Sequence, residues 1–330
     1  MRILITGGAG FLGKKLVSAL LNRGYLTDGN GVKQEITKLV LFDIAPPPPT
    51  FLQDSRLDVI TGDLTKPGVV EELVTESTKA IFHLAAIVSG QAERNFDLGM
   101  NVNMKATHTL LEACRRLPSP PLVLFSSSVA VFGGDMPTII EDNTIRTPQS
   151  SYGMQKAIGD MLINDYSRKG FIDGRALRLP TIVVRGGKPN QAASTFASSI
   201  IRDPLQGDTA ICPVSPDAQM WILSPRQAIK SFIHAAELPA AKWGHHRALN
   251  LPGLCLSMQE IVDSLQEIAG KRVTQRIIWQ PDPFIQQLVN NWPTRFAAKR
   301  AEALGFKGDN SMAEIIQAFI EDELGGEYVK

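Results

Sequence analysis

MRILITGGAGFLGKKLVSALLNRG, residues 1–24, passes from a strand pattern through a glycine turn into an apolar-periodic helix. Gly8-Ala9-Gly10-Phe11-Leu12-Gly13 is a GxGxxG, and Gly7 adds an overlapping GxxGxxG. A loop of this kind needs positive φ and close backbone approach. The helix behind it offers unsatisfied N–H groups and a positive dipole end to a pyrophosphate. The expected contacts are Gly7, Gly10, Phe11, Leu12 and Gly13. A turn whose glycines serve only packing is the competing reading, and the strand–turn–helix context weighs against it.

The same rhythm continues outward. RILIT, LVLFD, LDVIT, AIFHLAA and LVLFSSS are strand-like runs separated by helical patterns, one of them a long stretch reaching Arg116. Near-continuous apolar strands alternating with helices indicate a parallel sheet covered on both faces, an α/β fold of the Rossmann-type, doubly wound kind. TDGNGVKQE at 27–35 and PPPP at 46–49 interrupt it as surface excursions. Past about residue 186 the regularity weakens, with strands expected around 219–223, 247–251 and 273–279 and helices near 225–237, 257–269 and 312–324. We therefore expect a dinucleotide-binding domain over 1–186. Residues 187–330 would form a smaller substrate lobe, interleaved with the last strands of the sheet and above their carboxyl ends, where open α/β sheets bind ligands.

Asp43 closes LVLFD, where an acidic residue accepts from ribose hydroxyls. A carboxylate there repels a 2′-phosphate and no arginine follows closely, so NAD is favoured over NADP. The other reading of Asp43 is a turn residue before the prolines.

Composition narrows the partners. Lysine plus arginine number 34 against 33 acidic residues, a net charge of +1 that gives no reason to expect nucleic acid or an anionic membrane. A small molecule is the default ligand. Cys114, Cys212 and Cys255 are scattered and form no CxxC pair, which fits a reducing cytoplasm and neither a disulfide scaffold nor a zinc ribbon. No apolar run approaches the roughly 18 residues of a membrane span, and the N-terminus lacks a signal pattern, so a soluble, unprocessed chain is expected.

SSYGMQKAIGD, residues 150–160, sets Tyr152 and Lys156 at i and i+4 on one helix face. A phenol titrating near ~10 is a poor base at neutral pH, but an adjacent ammonium and an oxidised nicotinamide both favour the phenolate. Lowering that pKa by about three units takes roughly 4 kcal/mol of differential stabilisation, within reach of two positive charges in a partly buried site. FSSSVAVFG, residues 125–133, brings three hydroxyls to the end of the preceding strand, although serines there are often only turn formers. No GxSxG elbow or metal-binding HExxH occurs. The five histidines read as structural or exposed, so no metal is expected.

Taken together, TGGAGFLG, Asp43, GDL at 62–64, HLAA at 83–86, NVNMKAT at 101–107, SSSVAVFG and the Tyr152/Lys156 pair make the chain resemble the extended short-chain dehydrogenase/reductases over essentially its whole length. The resemblance implies Asp63 and Leu64 near an adenine and Leu84, Ala85 and Ala86 along the cofactor. It implies Asn101 as organiser of a proton relay, and Ser128, Tyr152 and Lys156 as the reactive trio. A homodimer through the helices around 104–116 and 152–168 is implied as well.

RALRLPTIVVRGG, residues 175–187, raises a question of its own, because Arg178 and Arg185 flank its apolar run and each calls for an anion. Nucleotide-sugar members of the family typically read LRxxN here and RDxxHVxD later; this chain has LRLPT and QMWILSPR. Thr181 and Gln219 replace groups that would hold a diphosphate, and exchanging a guanidinium for an amide forfeits a charge-assisted bond. RLPTIVVRGGKPN with Trp221 resembles instead the sugar-acid branch, the D-erythronate dehydrogenases, with threonine dehydrogenases more distant. That likeness implies oxidation of the C2 hydroxyl of a four-carbon acid. Arg185 could take its carboxylate, or pair with a nearby acid. Ser126, Ser127, Ser128, Tyr152 and Thr181 are the other substrate candidates. An epimerase or dehydratase with tightly bound NAD is the alternative activity.

Overall fold

The computed structural model describes residues 1–49, 53–187 and 192–330. The chain divides into two units: Met1–Ser128 with Ser150–Arg178 and Ile229–Leu249, and Val129–Gln149 with Leu179–Ala228 and Asn250–Lys330. Against an expected boundary at 186, residues 129–149 already belong to the second unit and residues 229–249 return to the first.

In the first unit, β1 (Arg2–Thr6) leads into α1 (Phe11–Arg23). Leu16, Val17 and Leu20 recur at helical spacing, are fully buried, and fix which side of α1 faces the sheet. Gly24 ends the helix in the left-handed region at φ 76°, where a Cβ would be strained. The polar insertion that follows is a small antiparallel hairpin, β2 (Tyr25–Thr27) and β3 (Lys33–Glu35), rather than an irregular loop.

Three parallel strands come next: β4 (Lys38–Asp43), β5 (Leu57–Thr61) and β6 (Thr78–His83). The short helix α2 (Val69–Leu73) lies between the last two. β6 runs from Thr78 to His83, so the expected AIFHLAA strand begins two residues earlier and ends three residues earlier, and Leu84–Ala86 run as loop from the sheet edge. The long helical stretch is likewise segmented into α3 (Ser89–Arg94), α4 (Phe96–Gly99), a π-helical turn over Met100–Lys105, and α5 (Ala106–Arg115). Asn95 marks one break by accepting a hydrogen bond from the Leu98 amide at 3.0 Å.

β7 (Leu122–Ser128), α6 (Ser151–Arg168) and β8 (Asp173–Leu179) follow. Ser150 caps α6 by accepting from the Gly153 amide at 3.1 Å. β9 (Thr181–Ile182), β10 (Ala210–Cys212), β11 (Gln219–Leu223), β12 (Ala248–Asn250), β13 (Leu254–Ser257) and β14 (Ile277–Trp279) complete the strands among the described residues.

The central sheet runs β12-β8-β7-β6-β1-β4-β5. After β1 the chain moves one way to β4 and β5, then returns to β6 on the other side of β1. The carboxyl ends of β1 and β6 are therefore the switch point at which a crevice opens. Ile3, Leu4, Ile5, Ile81, Phe82, Val123 and Leu124 are all fully buried, as a sheet covered on both faces requires. The returning segment is tied to β8 by Arg175. Its guanidinium donates to the Ala235 carbonyl, pairs with Asp173 and lies 5.7 Å from the fully buried Trp243 ring.

The second unit pairs β11 antiparallel with β13 and parallel with β9, and sets β10 beside β14. Its core gathers Val183, Val184, Ile200, Ile222, Ile261 and Phe319. Of the strand expected over 273–279 only Ile277–Trp279 is extended; Lys271–Thr274 is one helical turn entered from Gly270. No helix of the described residues is long and apolar enough to cross a membrane.

Candidate active site

The glycine turn is built on contacts that exclude side chains. Gly7 has φ 71°, and a Cβ there would lie 2.6 Å from the Ala85 nitrogen; one on Gly13 would lie 2.1 Å from the Gly7 carbonyl oxygen. Backbone therefore meets backbone where β1, the loop after β6 and the start of α1 converge. Leu84 and Ala85 are drawn into this contact, the Leu84 amide donating to the Thr6 carbonyl at 3.0 Å. Gly10 gives α1 no side-chain cap, so the first-turn N–H groups at this end are offered without competition from a side chain. A cradle that any Cβ would fill, facing a helix N-terminus, fits the pyrophosphate of a dinucleotide. Phe11 and Leu12 open the helix, half-buried.

Asp43 ends β4 beside this turn. Its Oδ2 accepts from the Ala9 amide at 3.0 Å and its Oδ1 from Ala45 at 3.3 Å, so the carboxylate is aimed by the glycine loop itself. Asp43 pairs in register with Thr61, and the Gly62 amide donates to the Asp43 carbonyl at 2.9 Å, which sets Asp63 just beyond. The Asp63 carboxylate accepts from the Thr65 amide and hydroxyl, and these bonds hold its pKa below the usual range. Leu64 turns its side chain into the core. Asp43, Asp63 and Leu64 thus follow one another along one edge of the sheet, with the Asp43 carboxylate at the glycine turn.

At the other end of the crevice, the ammonium of Lys156, buried on α6, donates to the Ser126 carbonyl at 2.7 Å. It lies 4.7 Å from the Phe125 ring centre and 5.6 Å from that of Tyr152. Burial pulls its pKa from 10.5 down to about 8, against a raising influence from Asp160. Tyr152, Lys156 and the end of β7 are therefore brought together. The three serines are not equivalent: Ser126 and Ser128 are half-buried, whereas Ser127 between them is 1% exposed with its hydroxyl enclosed and unbonded. A strand alternates its faces, so Ser127 is turned away from the side that Ser126 and Ser128 share, which removes it from the substrate candidates.

The two asparagines of NVNMKAT also part. Asn101, the expected relay organiser, accepts from the Lys105 ammonium at 2.9 Å near the surface. Asn103, 1% exposed, is the one facing inward. It accepts from the Ile87 amide at 2.7 Å, donates to the Ile87 carbonyl at 3.0 Å, and donates to Gln155 on α6 at 2.7 Å. Gly99 leaves room for that glutamine, since a Cβ would sit 2.7 Å from its Nε2.

His83 supplies the support beneath. Thr107 donates its hydroxyl proton to the Asn103 carbonyl, so the His83 Nε2 must carry the proton it shares with Thr107 at 2.9 Å; Nδ1 then accepts from Thr6 at 2.7 Å. This neutral tautomer is enforced by full burial and by the nearby Lys156 charge, which push the imidazole down to about 3.

The arginine question resolves for one of the pair. Arg178 donates from Nε to Asp160 at 2.7 Å, both side chains being buried. In the second unit, Thr181 is half-buried on β9 and Arg185 donates its amide to Ser198 at 3.1 Å. Gln219 there accepts from the Cys255 thiol at 3.7 Å. Trp221 is 9% exposed and lies 5.3 Å from the Phe296 ring centre. Lys188, Pro189 and Asn190 of the RLPTIVVRGGKPN motif lie outside the described residues. Among the described residues no cluster of histidine, cysteine or acidic side chains could hold a metal.

The profile of the NAD dependent epimerase/dehydratase family matches residues 3–248. The chain is similar to a D-erythronate dehydrogenase of Cupriavidus necator, 51% identical over 323 residues and covering 98% of each chain. A D-erythronate dehydrogenase of Haemophilus influenzae is 44% identical over 324 residues, covering 98% of this chain and 100% of that one. Among solved structures, one described as the nucleoside-diphosphate-sugar epimerase from Agrobacterium tumefaciens matches with a TM-score of 0.93 at 42% identity, covering 99% of this chain and 95% of that chain.

Two outcomes follow from this geometry. Gly13→Ala weakens NAD binding about 10- to 100-fold through overpacking of the turn, as read by titration calorimetry; an unchanged Kd would place the dinucleotide elsewhere. His83 stays neutral in the folded chain down to about pH 3 while its unfolded counterpart takes up a proton below 6.5. Its contribution to stability is complete above that value and falls by about 1.4 kcal/mol per pH unit as the pH drops from 6.5 toward 3. Urea denaturation across this range should therefore be less steep in pH for His83→Gln.

Proposed function

The chain belongs to the NAD dependent epimerase/dehydratase family, and we propose that within it this protein oxidises D-erythronate at C2 to the 2-oxo acid. The observation that carries the reading is the buried Lys156 one turn from Tyr152 at the end of β7, in a unit that also carries a glycine turn shaped for a dinucleotide.

Bound NAD supplies the acceptor for the C2 hydride. Gly7, Gly10, Phe11, Leu12 and Gly13 hold its pyrophosphate side. Asp43 and Asp63 hold its adenosine, with the backbone of Leu64 beside them, and Leu84, Ala85 and Ala86 line its path. Lys156 keeps a positive charge beside the Tyr152 phenol and so favours the phenolate. Tyr152 then takes the C2 hydroxyl proton while Ser128 holds the same oxygen, and the C–O bond becomes a carbonyl. Asn103, through Gln155 and the Ile87 backbone, anchors α6 in the position this geometry needs, whereas Asn101, expected to organise a proton relay, is bonded to Lys105 near the surface. By likeness to the D-erythronate dehydrogenases, Ser126, Thr181 and Arg185 are the proposed groups for the remaining hydroxyls and the carboxylate. The guanidinium of Arg185 matches a carboxylate bidentately.

A nucleotide-sugar epimerase is the second reading, favoured by the name given to the Agrobacterium structure. Thr181 and Gln219 weigh against it, because neither offers the charge that a diphosphate needs. We further propose a cytoplasmic homodimer. Three free cysteines suit a reducing compartment, and Met161, 54% exposed on α6, gives that helix an apolar side chain facing out.

Purified protein given NAD and D-erythronate should accumulate NADH, and Tyr152→Phe should lower kcat about 10²- to 10⁴-fold with NAD affinity retained. No NADH with any four-carbon acid, alongside interconversion of a nucleotide sugar, would reverse the assignment. Light scattering should give twice the chain mass of 36.0 kDa.

A further inference from the structure

Lys156 must be a cation to favour the Tyr152 phenolate, yet its surroundings are hostile to charge. Gly159 shows why: a Cβ there would lie 2.4 Å from the Phe125 ring, so α6 is seated on β7 at a distance only glycine allows. The same ring lies beneath the Lys156 ammonium, and the close seating excludes the water that would solvate it.

Among the described residues, groups from β7, β6 and α6 face Lys156. From β7 come the Ser126 carbonyl and the Phe125 ring, and from β6 the neutral His83, stacked on Phe125 at 5.9 Å between ring centres. From α6 come Tyr152 and Asp160. Asp160 stands one turn after Lys156 on the buried side of α6, is 1% exposed, and carries the anionic charge of this group. Its carboxylate is fixed from β8 by Arg178 at 2.7 Å.

We propose that Asp160 is a positioning residue for the reaction: clamped by Arg178, it holds the Lys156 ammonium in its charged state inside a dry helix–sheet contact. The inference rests on the Tyr152/Lys156 chemistry of the proposed function. Arg178 has two effects in this arrangement. It fixes the Asp160 carboxylate in place, and it partly offsets the field that Asp160 exerts on the lysine. Removing either partner should therefore move the lysine in opposite directions.

The test is NMR titration of the Lys156 ε-methylene in protein carrying 13C-labelled lysine, the resonance being assigned by its loss in Lys156→Arg. Asp160→Asn should move the Lys156 midpoint down by about one pH unit, and Arg178→Gln should move it up. Asp160→Glu should restore it. If Asp160→Asn fails to fold, the neutral pair Asp160→Asn/Arg178→Gln, measured against Arg178→Gln alone, reads the same downward displacement. The basic limb of kcat against pH for D-erythronate oxidation should follow each midpoint. Midpoints that coincide in all variants while kcat falls would overturn the proposal and leave the pair a purely structural one. If the parent protein oxidises no sugar acid, the substrate reading fails, and the NMR midpoints still decide the role of Asp160.

Discussion

Where β1, the loop after β6 and the start of α1 meet, three backbones approach more closely than any side chain permits. Gly7 and Gly13 create that contact, and much of the first unit is arranged around it. The tight turn aims the α1 N-terminus along the sheet edge, its Ala9 amide orients Asp43, and its proximity to Ala85 ends β6 as a strand. A single steric condition thus sets the α1 N-terminus, the Asp43 carboxylate and the loop after β6 in fixed relation to one another. Hydrophobic burial supplies the driving force for the sheet, but the absence of three or four Cβ atoms decides what its edge is for.

At the far end of the crevice the controlling quantity is dielectric rather than steric. Lys156, His83 and the Asp160–Arg178 pair are all removed from water within a few residues of one another, and the chain handles each differently. The imidazole is kept neutral by burial and the Lys156 charge while two threonines bond its nitrogens, the carboxylate is matched with a guanidinium, and the lysine keeps one strong hydrogen bond to a carbonyl. An isolated buried charge is costly, so this division lets one net positive charge stand beside Tyr152.

The parts readable in the sequence were those encoded by short-range spacing. The glycine turn follows a strand and opens a helix; Tyr152 and Lys156 are four apart; Asp43 ends an apolar run. Partners distant along the chain left no such trace. Asp160 reads as an ordinary polar helix position, and only the fold sets it against Arg178. His83 finds Thr6 and Thr107 on two other elements. Asn101 and Asn103 were separable only with the knowledge that the helix takes a π turn across Met100–Lys105, which shifts the facing side chains away from an ordinary helical count. Ser127 had a usable signal, the two-residue period of a strand, which sets it opposite its neighbours. The domain boundary near 186 reflected weakening regularity, whereas the crossings at 129 and 229 carry no change of composition to mark them.

The outermost strand on the β8 side of the central sheet is β12, Ala248–Asn250, and this has a consequence for biosynthesis. As the chain leaves the ribosome, β8 is complete by residue 179 but its outer edge has nothing to pair with until residue 250 of 330 has been made. During that interval a buried-type strand presents open amides and carbonyls, the condition under which nascent sheets recruit foreign strands. Trp243 and Ala235, the partners of Arg175 on β8, emerge in the same late segment that closes the edge. The first unit is therefore sealed by residues translated long after its glycine turn, and a nascent chain released before residue 250 would carry an unprotected sheet.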